Sequence, residues 1–212
     1  MKLAVFDFDS TLMNGETIDF LAKECGVEAE VAHITHRAMS GELDFYESLK
    51  TRVSLLAGLA ESRAQEICEN LPLMPGAQEI VAFLQDCGYK VVCFSGGFSL
   101  ATRHFARVLG LDGDFSNILH TKVGVLSGEV GGEMMFGDSK GVMLMRLQHL
   151  LGVSVQDTLC VGDGANDVSM FAYAHTRVAF CAKAVLKEAA NIVVEQKDLR
   201  AIIPLLEQKS QS

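Results

Sequence analysis

Two carboxylates stand two residues apart in Asp7-Phe8-Asp9-Ser10-Thr11, directly after an apolar run. On a strand that spacing puts both on one face; past the strand end, where the backbone turns, the pair can instead flank a shared metal. Close carboxylates repel and are costly to bury unpaired, so they need a cation. An isolated D-x-D is an ordinary solvated turn. Here, however, Gly162-Asp163-Gly164-Ala165-Asn166-Asp167 adds two more carboxylates after a second apolar run, with glycines that let backbone approach a ligand closely. Hard oxygen ligands in an acidic cluster favour Mg²⁺ over zinc, which takes His or Cys.

Two further segments gain meaning from that cluster. Ser95-Gly96-Gly97 follows an apolar run and leads into a helical pattern, offering a hydroxyl and exposed amides to an anion. Lys140, after Asp138-Ser139 at a helix start, would be a solvated lysine on its own. Beside clustered carboxylates and a phosphate it can neutralise charge on a nucleophile and on a transferring phosphoryl group.

These residues need a scaffold that brings strand ends together. Leu3–Phe8, Tyr89–Phe94, Thr158–Val161, Arg177–Phe180 and Ile192–Val194 read as buried strands. Helical patterns occupy Gly76–Cys87, Phe98–Leu109, Ser139–Leu151, Lys183–Ala190 and Asp198–Glu207, the last holding Pro204, which should shorten it. Alternating strands and helices predict an α/β fold, a mostly parallel sheet with helices on both faces. Such sheets bind ligands beyond the carboxyl ends of their strands, where the motifs fall. The stretch 14–70 breaks the alternation with helical spacing at Thr17–Cys25, Glu28–Met39, Phe45–Leu56 and Ser62–Asn70, and reads as an inserted helical cap between core segments 1–13 and 71–212. Residues 118–136 show β-like alternation and turn glycines, and read as a hairpin flap.

D-F-D-S-T, S-G-G, K-G and G-D-G-A-N-D, in that order, resemble the four signature motifs of the haloacid dehalogenase (HAD) superfamily. Within it the chain resembles the phosphoserine phosphatase family along nearly its full length, including Leu12–Phe20, Met39–Leu56, Val91–Phe98, Gly137–Gly141 and Val161–Lys183. The resemblance implies a Rossmann-like core and Mg²⁺-dependent hydrolysis of phosphoserine, the final step of serine biosynthesis, through an aspartyl-phosphate. By the same resemblance Asp7 is the nucleophile, Asp9 the acid and then the base, and Thr11 positions Asp9. Asp7, Asp163 and the Asp9 backbone carbonyl hold the metal, with Asp167 behind them. Ser95, Gly96, Lys140 and Asn166 bind substrate. Glu16 and Arg52, which composition alone would leave as helix-surface charge, meet the substrate ammonium and carboxylate, and Met39 and Phe45 form an apolar wall. Ala184 departs from the proline common in the family. A related phosphatase, or a phosphotransferase to another small alcohol, would keep all four motifs; a phospho-accepting signalling domain would need neither Asp9 as acid and base nor the cap.

Composition bounds the partners. Among 212 residues, 27 acidic against 18 basic give a net charge of −9, which disfavours nucleic acid and anionic membrane surfaces. The expected partner is a small phosphoester. Six scattered cysteines without a C-x-x-C pair, and an N-terminal apolar run too short for a signal peptide, predict a cytoplasmic protein. His33 and His36 lack a third ligand; His104, His120, His149 and His175 are isolated; Met143 and Met145 read as core filler. Asp112-Gly113-Asp114 opens like a calcium loop but lacks the glycine and glutamate that would complete one.

Overall fold

The computed structural model describes residues 1–39 and 42–209, leaving aside the side chains of Met39 and Lys209. Strand β1 (Lys2–Asp7) is buried after its first residue. Its alternation feeds two apolar clusters: Ala4 and Phe6 enter one, Leu3 and Val5 the other, so both faces of the strand are covered. Beyond it the chain makes one wide turn, with Met13 N–H donating to Phe8 O at 2.9 Å and Ser10 left-handed at φ 59°. A serine there is strained. The turn sends Asp9 away from Asp7 rather than stacking it on the same face.

The next four helices are α1 (Thr17–Cys25), α2 (Glu28–Met39), α3 (Phe45–Ser54) and α4 (Glu61–Glu69). Asp44 caps α3 by accepting from Glu47 N–H at 2.7 Å. Leu21, Val31, Leu49, Val53 and Cys68 from these helices join the same apolar cluster as Ala4 and Phe6. The chain leaves and re-enters the sheet region side by side: Asn14 N–H donates to Pro72 O at 2.8 Å and Met74 N–H to Leu12 O at 2.9 Å.

From there run α5 (Ala77–Asp86), β2 (Tyr89–Phe98), α6 (Ser99–Leu109), β3 (Gly113–Lys122), β4 (Val125–Gly132), α7 (Ser139–Leu151), β5 (Thr158–Gly162), α8 (Val168–Phe171), β6 (Thr176–Phe180), α9 (Ala184–Ala189), β7 (Ile192–Val194) and α10 (Ile202–Lys209). The seven strands form one sheet in the order β4-β3-β2-β1-β5-β6-β7, parallel throughout except for β3–β4. Residues of α5 and α6 cover one face, and those of α7, α8 and α9 the other. This is the α/β architecture expected from the alternation. β1, between β2 and β5, brings its carboxyl end beside theirs, so three of the four motifs meet without any loop crossing the sheet.

Three local readings change. Strand β3 begins at Gly113, ahead of the hairpin: Gly113–Phe115 pair parallel with Val92–Phe94, making β3 part of the main sheet, and antiparallel pairing with β4 starts at Asn117. The calcium-like Asp112-Gly113-Asp114 opens this strand: Asp112 takes Lys90 Nζ at 2.6 Å and Val91 N–H at 2.9 Å, and Asp114 takes the Thr102 hydroxyl at 2.7 Å. Ser95-Gly96-Gly97, expected to follow the strand, is instead extended backbone inside β2, which runs on to Phe98. Pro204 lies in the first turn of α10, where an intrahelical N–H is not needed, so it marks the start of that helix. Among the described residues no helix is long and apolar enough to cross a membrane.

Candidate active site

A cavity of about 490 Å³ opens beyond the carboxyl ends of β1, β2 and β5, between the sheet and the helices of 17–69. Asp7, Asp9, Asp163, Gly96 and Asn166 line it from the sheet side, and Glu16, Phe45 and Arg52 from the helical side. Ser95 and Lys140 are buried just behind its wall. All the sequence-predicted site residues thus converge on one place. Met39, expected in the apolar wall, has its side chain outside the described residues, whereas Phe45 lines the cavity.

At the sheet end Lys140 Nζ lies 2.5 Å from Asp7 Oδ1 and 2.6 Å from Asp167 Oδ1. Asp167 Oδ2 accepts the N–H groups of Asp163 and Gly164, each at 3.0 Å. Asp167, fully buried, therefore joins the lysine to the loop that carries Asp163. That loop must come close: a Cβ on Gly162 would lie 2.4 Å from Asp167 Oδ2. Burial pushes Asp7 well above the ordinary carboxylate range, Lys140 opposes the shift, and Asp167 and Asp163 add to it. Asp163 rises to about 6, first through burial and then through Asp167. Burial works against the charge on Lys140, but Asp167 and Asp7 outweigh it and hold the ammonium above its usual range.

Oxygens of Asp7, Asp163 and Asp167 all lie within 4.8 Å of one another. Three hard-oxygen donors in one pocket, two of them with burial opposing their ionised form, fit a divalent cation. Asp9 contributes no side chain to this cluster. Its Oδ1 instead accepts Thr17 N–H at 2.7 Å and the Thr17 hydroxyl at 2.5 Å, and its Oδ2 accepts the Ser95 hydroxyl at 3.3 Å. Helix α1 lacks a side-chain cap of its own, so Asp9 serves as its remote N-cap. Burial raises the Asp9 pKa, while these Thr17 contacts restrain it. A Cβ on Gly97 would lie 2.4 Å from Asp9 Oδ2, so glycine is required there too.

Thr11, expected to position Asp9, is buried with its hydroxyl unpartnered among the described residues. The left-handed Ser10 turns residue 11 into the core, and Thr17 takes the part. Thr17 was legible as a hydroxyl residue opening a helix, where an N–H lacks an intrahelical acceptor. Lys183 also escaped the sequence reading: it lines the cavity, and its N–H donates to Asp163 O at 2.9 Å.

At the helical end, Glu16 accepts the Ser10 hydroxyl at 2.7 Å, and Arg52 Nε donates to Ser48 O at 3.3 Å. Glu16 keeps solvent access but is enclosed by the cavity wall, and this burial together with Asp9 pushes it up to about 8. Burial lowers the Arg52 pKa, and Glu16, Asp19 and Asp9 oppose that shift.

A family model of haloacid dehalogenase-like hydrolases matches residues 1–175. A phosphoserine phosphatase of Wolinella succinogenes is 64% identical over 96% of this chain and 98% of its own length. One of Methanocaldococcus jannaschii is 46% identical over 95% and 96%. The chain belongs to the phosphoserine phosphatase family of haloacid dehalogenase-like hydrolases. Among solved structures, a phospho-aspartyl intermediate analogue of phosphoserine phosphatase superposes with a TM-score of 0.91 at 46% identity, covering 96% of this chain and 98% of the other. A substrate-bound phosphoserine phosphatase complex gives the same score and identity. As a member of this family the protein is a phosphatase, and its cavity has two chemically distinct ends, one of carboxylates and lysine, the other of single opposite charges.

Proposed function

We propose that the protein is a Mg²⁺-dependent phosphoserine phosphatase that hydrolyses O-phosphoserine to serine and inorganic phosphate, the last step of serine biosynthesis, in the cytoplasm. The observation that carries this reading is the single cavity that joins Asp7, Asp9 and Asp163 to Glu16 and Arg52. The substrate has a phosphoester at one end and an ammonium and a carboxylate at the other; the cavity offers a matching partner for each. Segments 1–13 and 71–212 form the catalytic core in this proposal, 14–70 the cap and 118–136 the flap.

An ionised Asp7 oxygen attacks phosphorus, the bond from phosphorus to the serine oxygen breaks, and that oxygen takes the proton carried by Asp9. Asp9 then removes a proton from water as the water oxygen attacks the aspartyl-phosphate, releasing phosphate and restoring Asp7. The raised pKa of Asp9 suits the first step, and its hydrogen bonds from Thr17 keep the anionic form accessible for the second. Ser95, Gly96, Lys140 and Asn166 surround the phosphoryl group, Lys140 offsetting its charge. Asp7, Asp163 and the Asp9 backbone carbonyl would hold Mg²⁺, which supplies positive charge to the carboxylates and the phosphoryl oxygens. Asp167 keeps Lys140 and the Asp163 loop in place. Glu16 takes the ammonium and Arg52 the carboxylate, by a bidentate contact.

The test is phosphate release across a panel of phosphoesters with and without a chelator. Expected is turnover concentrated on phosphoserine, independent of an alcohol acceptor, lost on chelation and restored by Mg²⁺. Turnover that survives chelation, or that needs an acceptor, would overturn the reading.

A further inference from the structure

Helix α3 carries Arg52 and is held at its two ends by contacts of different kinds. At its carboxyl end the chain that follows is joined to the hairpin by backbone hydrogen bonds: Gly58 N–H to Leu126 O at 2.9 Å, Leu126 N–H to Leu59 O at 2.8 Å and Glu61 N–H to Gly124 O at 2.9 Å. Ser54 and Ala57 crowd Gly128 so closely that a Cβ there would lie 3.1 Å from Ala57 Cβ. This end is a clamp. The hairpin is therefore tied by backbone hydrogen bonds to the chain that follows α3.

At the amino end of α3 the contacts with the core among the described residues are made by side chains. Phe45 rests on Gly96, where a Cβ would meet its ring at 3.0 Å. Tyr46 stacks on Phe136, with ring centroids 5.2 Å apart and planes 16° from parallel, and Lys50 Nζ lies 5.1 Å from the Tyr46 centroid. Phe136 is 57% exposed, so burial alone gives an aromatic ring little reason to be there. Its turn is fixed: Phe136 N–H donates to Ser139 Oγ at 3.0 Å and Ser139 N–H to Phe136 O at 3.1 Å. The turn includes Gly137, which lines the cavity, and leads directly to Lys140.

We propose that Tyr46 and Phe136 are positioning residues for the phosphatase reaction: their stack latches the amino end of α3 onto the lysine turn, which seats Phe45 over Gly96 and holds Arg52 at its working distance from Asp7. Helix α3 pivots on the hairpin clamp and parts from the core at Tyr46–Phe136, where substrate passes. An exposed aromatic pair biases such an equilibrium by about 2- to 12-fold, enough to favour the seated state and weak enough to release on each turnover. The proposal rests on the substrate reading above only for the role of Arg52; seating Phe45 concerns any phosphoester.

The experiment compares steady-state kinetics of Tyr46→Ala, Phe136→Ala, the double variant and Tyr46→Phe, on phosphoserine and on an aryl phosphate. Each alanine variant is expected to raise KM by about 3- to 10-fold on both substrates, with kcat unchanged or increased and the thermal midpoint near that of the unaltered chain. The double variant should be no worse than either single one, since one stack is lost in each case, and Tyr46→Phe should retain the original KM. Unchanged KM in the alanine variants, multiplicative losses in the double variant, or a Tyr46→Phe as impaired as Tyr46→Ala would overturn the latch. If Phe136→Ala proves unstable, Phe136→Leu, which keeps bulk but not the stack, must give the same KM increase. Should phosphoserine fail as a substrate while the aryl phosphate is turned over, the substrate reading falls and the latch is still decided on the aryl phosphate.

Discussion

The two ends of the cavity are built on opposite electrostatic plans. At the sheet end the protein supplies a cation of its own, although burial still raises Asp7 and Asp163: Lys140 bridges Asp7 and Asp167, and Asp167 is further held by two backbone N–H groups. At the helical end, Glu16 and Arg52 make no ion pair within 4.0 Å among the described residues, and the surroundings push each towards neutrality, Glu16 up to about 8 and Arg52 downwards. Groups held in an unfavoured charge state gain most from a ligand of opposite charge. The sheet end is a reaction centre assembled in advance and needing only a cation; the helical end is a pair of charges whose partners a zwitterionic substrate brings. The difference is what one phosphatase core needs in order to keep its chemistry while selecting one substrate.

The harshest way to break the comparison is to remove chemistry while leaving recognition. Asp7→Asn keeps the shape and can still accept a hydrogen bond from Lys140, but an amide cannot attack phosphorus; kcat is expected to fall by roughly 10⁴-fold or more on every phosphoester, with near-native folding by circular dichroism. A loss under about 10-fold would remove Asp7 from the nucleophile's role. Next comes Arg52→Ala, which should separate the ends cleanly. Losing a charge-assisted contact to the substrate carboxylate should lower kcat/KM for phosphoserine by about 30- to 100-fold, against about 3-fold or less for an aryl phosphate that has no carboxylate. Equal losses on both would show that the two ends are not independent.

The same division governs what could be read from the sequence. The strands and the sheet end were legible because short apolar runs terminate in Asp7, Ser95 and Asp163, and a parallel sheet must gather such ends. Periodicity also placed α1, α2 and α7 at their observed bounds. It missed the first half of β3, since Asp112-Gly113-Asp114 has turn composition and only tertiary partners, Lys90 and Thr102, make it a strand. The Thr11 role implied by the family resemblance falls instead to Thr17, whose N–H and hydroxyl both reach Asp9 after the left-handed turn at Ser10, and no spacing rule anticipates that turn. Glu16 and Arg52 had no local signal beyond family resemblance: their meaning lies in facing one cavity, a property of the assembled helices alone.

A gentler change tests whether Asp9 is tuned from the helical side. Thr17→Val removes the hydroxyl donor but keeps the backbone N–H on Asp9 Oδ1. The hydrogen bond favours the carboxylate, so its loss should raise the Asp9 pKa further and move the acid limb of the kcat profile to higher pH. At neutral pH kcat should drop by about 10-fold, the scale of one hydrogen bond to a charged group. A limb that moves to lower pH would contradict the tuning.

The smallest expected effect concerns stability rather than rate, and it asks whether the helical end is under strain before substrate binds. Glu16 is raised from an ordinary 4.5 to about 8 in the folded protein. Between those values the folded state holds a proton that the unfolded state has released, so stability falls as pH rises through that window, and the full loss is reached above about 8. Glu16→Gln cannot titrate and should escape this loss. Because Glu16 is open to solvent through the cavity, the gain is discounted to about 0.5–1 kcal/mol, a midpoint higher by about 1–4 °C at pH 9 and little different at pH 4. Scanning calorimetry of both proteins in chelator at the two pH values measures it directly. If the variant proved less stable than the unaltered chain at pH 9, Glu16 would have to be answered by a cation inside the protein, and the contrast between the two ends would fail at its helical side.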